Sequence, residues 1–265
     1  MSKASISYIQ SKISGIIPDT AIILGSGLGG LITALQNPVE IDYKDIPDFP
    51  QTTVAGHNGR MYIGKIGSHH VLCMQGRFHL YEGIAPQLIA EVIGILADLG
   101  VKRLIVTNAA GSLDINMPAG SIMLIKDHIN MSCRNPLLGA HGEPYFPDMS
   151  NAYDFAARQQ IKQLAENMKV KLYEGVYLMT LGPNYETPSE VKMFRLFGAD
   201  AVGMSTVSEV LAAVHRGLKV IGFSVISNLG TGLQTEAQSH EDVLEQVGKS
   251  AAKLGELIRS YLEQE

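Results

Sequence analysis

Residues 21–25 read AIILG, a wholly apolar run stopped by glycine, and the next five residues are SGLGG. An apolar run this short, bounded by glycines, predicts a buried strand, and the small-residue turn leads into a predicted helix over 28–36. The chain is thereby restricted to folds in which a covered strand hands over through a tight turn to the next element. Gly25, Gly27 and Gly30 also satisfy G-x-G-x-x-G. Three structures account for that spacing: a dinucleotide pyrophosphate on a helix N-terminus, a single phosphate held by backbone N–H groups and the Ser26 hydroxyl, or a tight turn that binds nothing. The dinucleotide fold calls for an acidic residue about 20 positions later, ending a second parallel strand. The nearest acids, Glu40 and Asp42, lie in VEIDYKDIPDFP, which runs into prolines.

The segments RMYIGKIG and SHHVLCMQ predict an antiparallel hairpin over 60–75 that turns at Gly67-Ser68. A helix over about 86–99 then leads to the strand RLIVTN, a second apolar segment runs through SIMLIKD, and a polar helix covers about 151–168. A strand ends in VYLMTLGPNYETPSE, where Thr187, Pro188 and Glu190 supply an N-cap, an N1 proline and a capping-box partner for the next helix. Strand 200–204, helix 206–217, strand 219–227 and a long helix from about 240 complete the order. Such alternation, with a hairpin inside it, predicts a mixed sheet with helices on both faces and ligands at the carboxyl ends of strands.

With 265 residues and 46% hydrophobic content the chain can fill one large core, and no composition break divides it. Its 21 Lys and Arg against 26 Asp and Glu leave a charge of −5, which argues against a sequence-independent nucleic-acid binder. No stretch approaches the ~18 apolar residues of a membrane span, and the first 20 residues lack a signal-peptide pattern. A cytoplasmic location without membrane contact is expected. Cys73 and Cys133, without a CxxC partner, are expected to be buried reduced thiols.

Anion ligands cluster in two further segments. GHNGR (56–60) and QGRFHLYEG (75–83) place His57, Arg60, Arg77 and His79 in glycine-flanked positions at strand ends. Arginine offers a planar fork to phosphate oxygens. On an extended backbone Arg77 and His79 share one face, and Tyr81 follows if the extension persists. No HExxH, zinc-type CxxC, deaminase PCxxC or G-x-S-x-G pattern occurs, so neither a metal site nor a serine-hydrolase elbow is expected.

Taken together, ILGSGLGGL, AGHNGR, QGRFHLYEG, VTNAAGSL, FPDMSNAYD, GPNYETPSE, GADAVGMSTVSEV and ISNLGTG resemble the trimeric class of purine nucleoside phosphorylases and the related methylthioadenosine phosphorylases. The matching segments run from 22 to 232. The resemblance implies a single α/β domain over 1–265 around a mixed, partly barrel-like sheet flanked by helices. It also implies a homotrimer and no metal or organic cofactor, with inorganic phosphate as co-substrate on the glycine turn. The activity implied is reversible phosphorolysis of 6-oxopurine (deoxy)ribonucleosides such as inosine and guanosine, a purine-salvage reaction.

Carried over by motif, Ser26, Arg77, His79 and Ser205 bind phosphate, with the Ala109 backbone helping and His57 beside it. Tyr81, Gly203 and Met204 line the ribose and base. Glu186 receives the purine N1–H, Asn228 hydrogen-bonds N7 and O6, Tyr185 packs on the base, and His240 approaches the 5′-hydroxyl. Asn228, Glu186 and His79 are the catalytic candidates, and Phe146 covers the sugar in a neighbouring subunit's site. Tyr185 stands where the family usually has Phe, and Ser227 where it usually has Thr. Two rivals use the same residues: a nicotinamide-dependent oxidoreductase built on GSGLGG, and a non-enzymatic purine or phosphate sensor.

Overall fold

Side-chain alternation along the strands decides which layer each residue joins. The computed structural model describes residues 3–25, 27–54, 58–139, 146–233 and 240–265, the last stretch by backbone alone at 240–247 and 249. In chain order the elements are α1 (Lys3–Lys12), β1 (Thr20–Ile23), β2 (Gln36–Asp42), β3 (Arg60–Ile66), β4 (His69–Gln75), α2 (Pro86–Asp98), β5 (Arg103–Ser112), β6 (Ile122–Asn130) and α3 (Phe155–Asn167). There follow β7 (Leu172–Met179), α4 (Pro188–Leu196), β8 (Ala201–Gly203), α5 (Val207–His215), β9 (Lys219–Leu229) and α6 (His240–Gln264).

Strand β1 is buried at every position. Ala21 and Ile23 join Leu72, Met74, Leu104 and Val106 in one apolar layer, under α1, α2 and α5. Ile22 and Leu24 join Val71, Cys73 and Ile105 in the other, under α3 and α6. Parallel strands covered on both faces read as continuous apolar runs for this reason. The strand order is β2-β3-β4-β1-β5-β8-β7-β6-β9, and β9 also pairs with β5, so β5, β8, β7, β6 and β9 close into a barrel from which β1, β4, β3 and β2 extend. Strand β5 belongs to both parts: it runs parallel to β1 and β9 and meets β8 antiparallel at Gly111 and Ser112. The carboxyl ends of β1, β4, β5 and β9 therefore open at one place. This is the mixed sheet that the sequence pattern predicts, in the single, partly barrel-like α/β domain that the resemblance implies.

The hairpin turns at Gly67, whose φ of 58° is left-handed, and pairs Arg60 with Gln75 through Ile66 with His69. Helix α4 starts as expected, with the Glu190 N–H donating to Thr187 Oγ1 at 3.2 Å and the Thr187 N–H to the Glu190 carboxylate at 2.7 Å. Two readings need correction. The helix expected over 28–36 is a 3-10 turn over Gly29–Ala34, because two glycines and the Thr33 hydroxyl, donating back to Gly30 O at 2.7 Å, oppose a regular α-helix. After it the chain forms β2, an edge strand that tolerates Pro38 because edge positions need no ladder donor. Cys133 is exposed, and only Cys73 is buried; burial pushes the Cys73 thiol up to about 12. Among the described residues no helix is long and apolar enough to cross a membrane.

Candidate active site

The site begins where β1 stops. At Gly25 a Cβ would lie 2.7 Å from Asn108 Cα and 2.7 Å from Thr107 O, so only glycine lets the end of β1 lie against β5. The Gly25 N–H donates to Thr107 Oγ1 at 3.0 Å, and that hydroxyl donates to Ile23 O at 3.0 Å. Thr107 thus ties the glycine turn to β5. Its carbonyl accepts from Arg77 Nη1 at 2.6 Å.

Arg77 is 2% exposed, in the loop that leaves β4. Its Nε and Nη2 donate side by side to the two oxygens of Glu209 at 2.8 and 2.9 Å, a bidentate pair with Glu209 itself 4% exposed. Glu209 lies on α5, between Ser208 and Val210 on a helix whose remaining side chains are apolar apart from the terminal His215. The positive fork at the strand ends is therefore preset by a carboxylate 132 residues away in sequence.

His79 follows. Its ring Nδ1 lies 3.0 Å from Glu82 Oε1, which also accepts the His79 backbone N–H at 2.9 Å. Glu82 Oε2 accepts the Thr53 backbone N–H and hydroxyl at 2.8 and 2.7 Å. Burial pushes the Glu82 carboxyl up, but these hydrogen bonds outweigh it and hold the group below its usual range. Burial and the charge of Arg77 lower the His79 pKa to about 4 against the pull of Glu82. The imidazole is neutral at pH 7, and with Nδ1–H directed at the Glu82 carboxylate its Nε2 is an acceptor. The extension expected to carry Tyr81 onto the face of Arg77 and His79 does not persist, since Leu80–Glu82 form a 3-10 turn. The turn instead stacks Tyr81 on His79, ring centroids 4.6 Å apart and planes at 17°.

Opposite these groups, β8 ends at Gly203 and the chain enters α5 through Met204, Ser205 and Thr206. A Cβ on Gly203 would meet the Tyr177 hydroxyl at 2.4 Å, and one on Gly182 would meet Met204 Sδ at 2.5 Å and Tyr81 at 3.3 Å. Those two glycines let Tyr177 sit beneath the loop and bring Met204 and Tyr81 together. Thr206 has φ 78° and ψ −51°, and the Val207 N–H donates to Ser205 O at 2.9 Å. This is a strained γ-turn on a β-branched residue, a conformation costing about 1–3 kcal/mol. It sets Ser205, 8% exposed, at the N-terminus of α5, where helix dipole and N–H groups favour an anion.

The end of β9 completes the mouth. Asn228 lies opposite Gly111 of β5 in register. The Ser227 hydroxyl donates to Asn228 Oδ1 at 2.7 Å, and Asn228 Nδ2 donates to Leu229 O at 2.9 Å, which fixes which way the amide points. Ala109 lies on β5 beside Val225 of β9. Glu186 is half-buried in the loop before α4, and burial, helped by Glu190, raises its carboxyl above the ordinary value. Tyr185 beside it is 70% exposed. Phe146 is 86% exposed. Ser26 and His57 lie outside the described residues, as does the side chain of His240, whose backbone begins α6.

Arg60 is not part of this cluster. It pairs with Glu40 at 2.9 Å and Asp42 at 3.0 Å across β2 and β3, so the acids nearest to a dinucleotide's ribose position are spent on a surface arginine. Glu209, Thr107, Asn108, Thr206 and Tyr177 are site residues that sequence reasoning did not single out. For Glu209 the signal was present: one acid inside the apolar helix VSEVLAAVH. Among the described residues no group of three or more His, Cys, Asp and Glu is placed to hold a metal.

The phosphorylase superfamily matches residues 19–263. Purine nucleoside phosphorylase 1 of Bacillus subtilis (strain 168) is 43% identical over 250 residues, 93% of this chain and 92% of the relative. The Rattus norvegicus purine nucleoside phosphorylase is 46% identical over 257 residues, 92% of this chain and 88% of the relative. The chain belongs to the purine nucleoside phosphorylases. It is thus an enzyme of a pentosyltransferase family. Among solved structures, Schistosoma mansoni purine nucleoside phosphorylase in complex with adenosine superposes with a TM-score of 0.93 at 37% identity, covering 99% of this chain and 96% of that one. The same relative in complex with inosine gives a TM-score of 0.92.

Two outcomes follow for this phosphorylase. Glu209→Ala leaves the Arg77 guanidinium buried without its carboxylate and should lower the unfolding free energy by about 3–5 kcal/mol in chemical denaturation; a loss below about 1 kcal/mol would mean that the pair is not structural. For His79, the folded pKa of about 4 lies below the ordinary 6.5. The unfolded chain therefore takes up a proton first, and the stability held above pH 6.5 is lost as pH falls toward 4. Across that window the decline in urea midpoint should be shallower for His79→Asn than for the parent, and equal slopes would show that His79 does not titrate this way.

Proposed function

We propose that the chain catalyses the reversible phosphorolysis of 6-oxopurine ribo- and deoxyribonucleosides, inosine and guanosine foremost, to the free base and the pentose 1-phosphate. One observation carries the reading: a buried, carboxylate-locked guanidinium stands at the strand ends beside the glycine turn and the Ser205 turn, with an oriented amide, Asn228, at the end of the adjoining strand. The first three suit an oxyanion, and the amide suits the edge of a base.

In this mechanism Ser26, Arg77, His79, Ser205 and the Ala109 N–H hold phosphate, with His57 beside it, below the sugar. Tyr81, Gly203 and Met204 line the ribose, Tyr185 packs on the base, and His240 approaches the 5′-hydroxyl. Phosphate oxygen bonds to C1′ as the bond from C1′ to N9 breaks, through an oxocarbenium-like state, and the electron pair leaves with the purine. No covalent nucleophile is required. His79 Nε2, as an acceptor, suits the one phosphate oxygen that carries a proton near neutral pH. Asn228 stabilises the departing base at N7 and O6 through hydrogen bonds that strengthen as the ring gains electron density, and Glu186 accepts N1–H and so orients the base. Neither a metal nor an organic cofactor enters the scheme, in which inorganic phosphate is the co-substrate. Partners are limited to the nucleoside, phosphate and further copies of the chain, with no nucleic acid or membrane, in the cytoplasm.

The preference for 6-oxopurines rests on valence. Adenine presents an N6 amino donor and an unprotonated N1, so the Glu186 carboxylate would face a lone pair and the site's polar groups would go unpaired. The S. mansoni relative is also found with adenosine, which makes the choice of base the point to measure here. Assembly as a homotrimer rests on Phe146, the most exposed of the large apolar side chains among the described residues, which in this reading covers the sugar of a neighbouring site and excludes water from it.

Hypoxanthine release from inosine should require phosphate, and equal release in phosphate-free buffer would overturn the proposal. The kcat/KM for inosine should exceed that for adenosine at least tenfold (~1.4 kcal/mol or more), and Asn228→Asp should move the ratio toward adenosine. An unmoved ratio would remove Asn228 from base recognition. Light scattering should give the mass of three chains. Phe146→Ala chains exchanged with inactive Arg77→Ala chains should recover some intact sites, whereas no recovery would exclude site sharing.

A further inference from the structure

Three buried groups stand behind Ser205. Asn108 and Thr206 are 1% and 2% exposed, and Asn108 Nδ2 donates to Thr206 Oγ1 at 2.8 Å. Thr206 Oγ1 lies 3.2 Å from Ser205 Oγ, and the Ser205 backbone N–H is 3.4 Å from the Tyr177 hydroxyl. Asn108 Oδ1 is buried with no hydrogen-bond partner.

Counting donors and acceptors gives the chain a direction. Thr206 Oγ1 receives the amide hydrogen of Asn108, and its own hydrogen needs an acceptor because the residue is buried. Among the described residues the Ser205 hydroxyl oxygen is its neighbour for that purpose, since Asn108 Oδ1 has no partner. If Ser205 donated to Thr206 instead, the Thr206 hydrogen would be buried without an acceptor, at the cost of its desolvation. Donation therefore runs from Asn108 to Thr206 to Ser205, and each bond polarises the next. The Ser205 hydrogen is left to point away from the chain, toward the mouth of the site.

We propose that Asn108 and Thr206 are positioning residues that set the Ser205 hydroxyl as a hydrogen-bond donor to the phosphate co-substrate. The proposal rests on the reading of Ser205 as a phosphate ligand, and the experiment separates the two.

The experiment is a double-mutant cycle on phosphate KM with Ser205→Ala, Thr206→Val and the double variant, alongside nucleoside KM and thermal unfolding for each. Valine keeps the branched shape of threonine and removes only the hydroxyl. Thr206→Val should raise phosphate KM about three- to tenfold and leave nucleoside KM in place, Thr206→Ser should restore most of the loss, and the double variant should be no worse than Ser205→Ala. Should Thr206→Val fail to fold, Asn108→Leu, similar in shape and unable to donate, is read in the same way. Multiplying effects in the double variant, or an unchanged phosphate KM in Thr206→Val beside a raised one in Ser205→Ala, would overturn the relay. An unchanged phosphate KM in Ser205→Ala would overturn the role of Ser205 itself, and the relay with it.

Discussion

A guanidinium buried to 2% exposure cannot stay ionised in a protein core without a partner, and the architecture around the site follows from how Arg77 is satisfied. Glu209 meets its Nε and Nη2, and Thr107 O meets Nη1. These three contacts join the end of β4, the start of α5 and the middle of β5, and through Thr107 Oγ1 they reach the glycine turn after β1. Helix α5 is thereby locked on its buried face, and its N-terminus, with Ser205, is held relative to Arg77. One ion pair thus sets the spacing between the two donor clusters assigned here to a single anion.

Around that anchor the chain accepts local costs. Thr206 occupies a strained γ-turn, and Gly25, Gly182 and Gly203 stand where any Cβ would collide with its neighbours. Each departure serves a close approach: β1 against β5, Met204 against Tyr81, Tyr177 beneath the Ser205 loop. Neighbouring groups already fill these positions, which reduces the reorganisation needed there when a charged ligand enters. The Tyr81 ring stacked on His79 and the Ser227 hydroxyl on Asn228 extend the same logic to the two groups that the proposed mechanism gives to the sugar and the base.

Local signals in the sequence were reliable where local physics decides. The hairpin at Gly67, the capping box at Thr187 and Glu190, and the alternating strands appear as read. What was not legible depended on distance or on burial. Arg60 and Arg77 look alike as glycine-flanked arginines, yet one pairs with Glu40 and Asp42 on the surface and the other with Glu209 in the core. Their difference arises from sheet position, since Arg60 lies at the β2 edge while Arg77 points beneath α5. Tyr81 reached its neighbours by a 3-10 turn where extension was expected. Helix α1 gave little warning because it buries only Ser5 and Ile9, too few positions to impose a helical period.

In the proposed mechanism the Arg77 fork, preset by Glu209, is the main determinant of an inorganic phosphate site on the free enzyme. Isothermal titration of phosphate into the nucleoside-free protein should give one phosphate per chain for the parent. Affinity should fall by about one to two decades in Arg77→Ala, where a charge-assisted contact is lost and the Glu209 carboxylate is left facing the anion. Equal phosphate affinity in the parent and in a folded Arg77→Ala protein would contradict it.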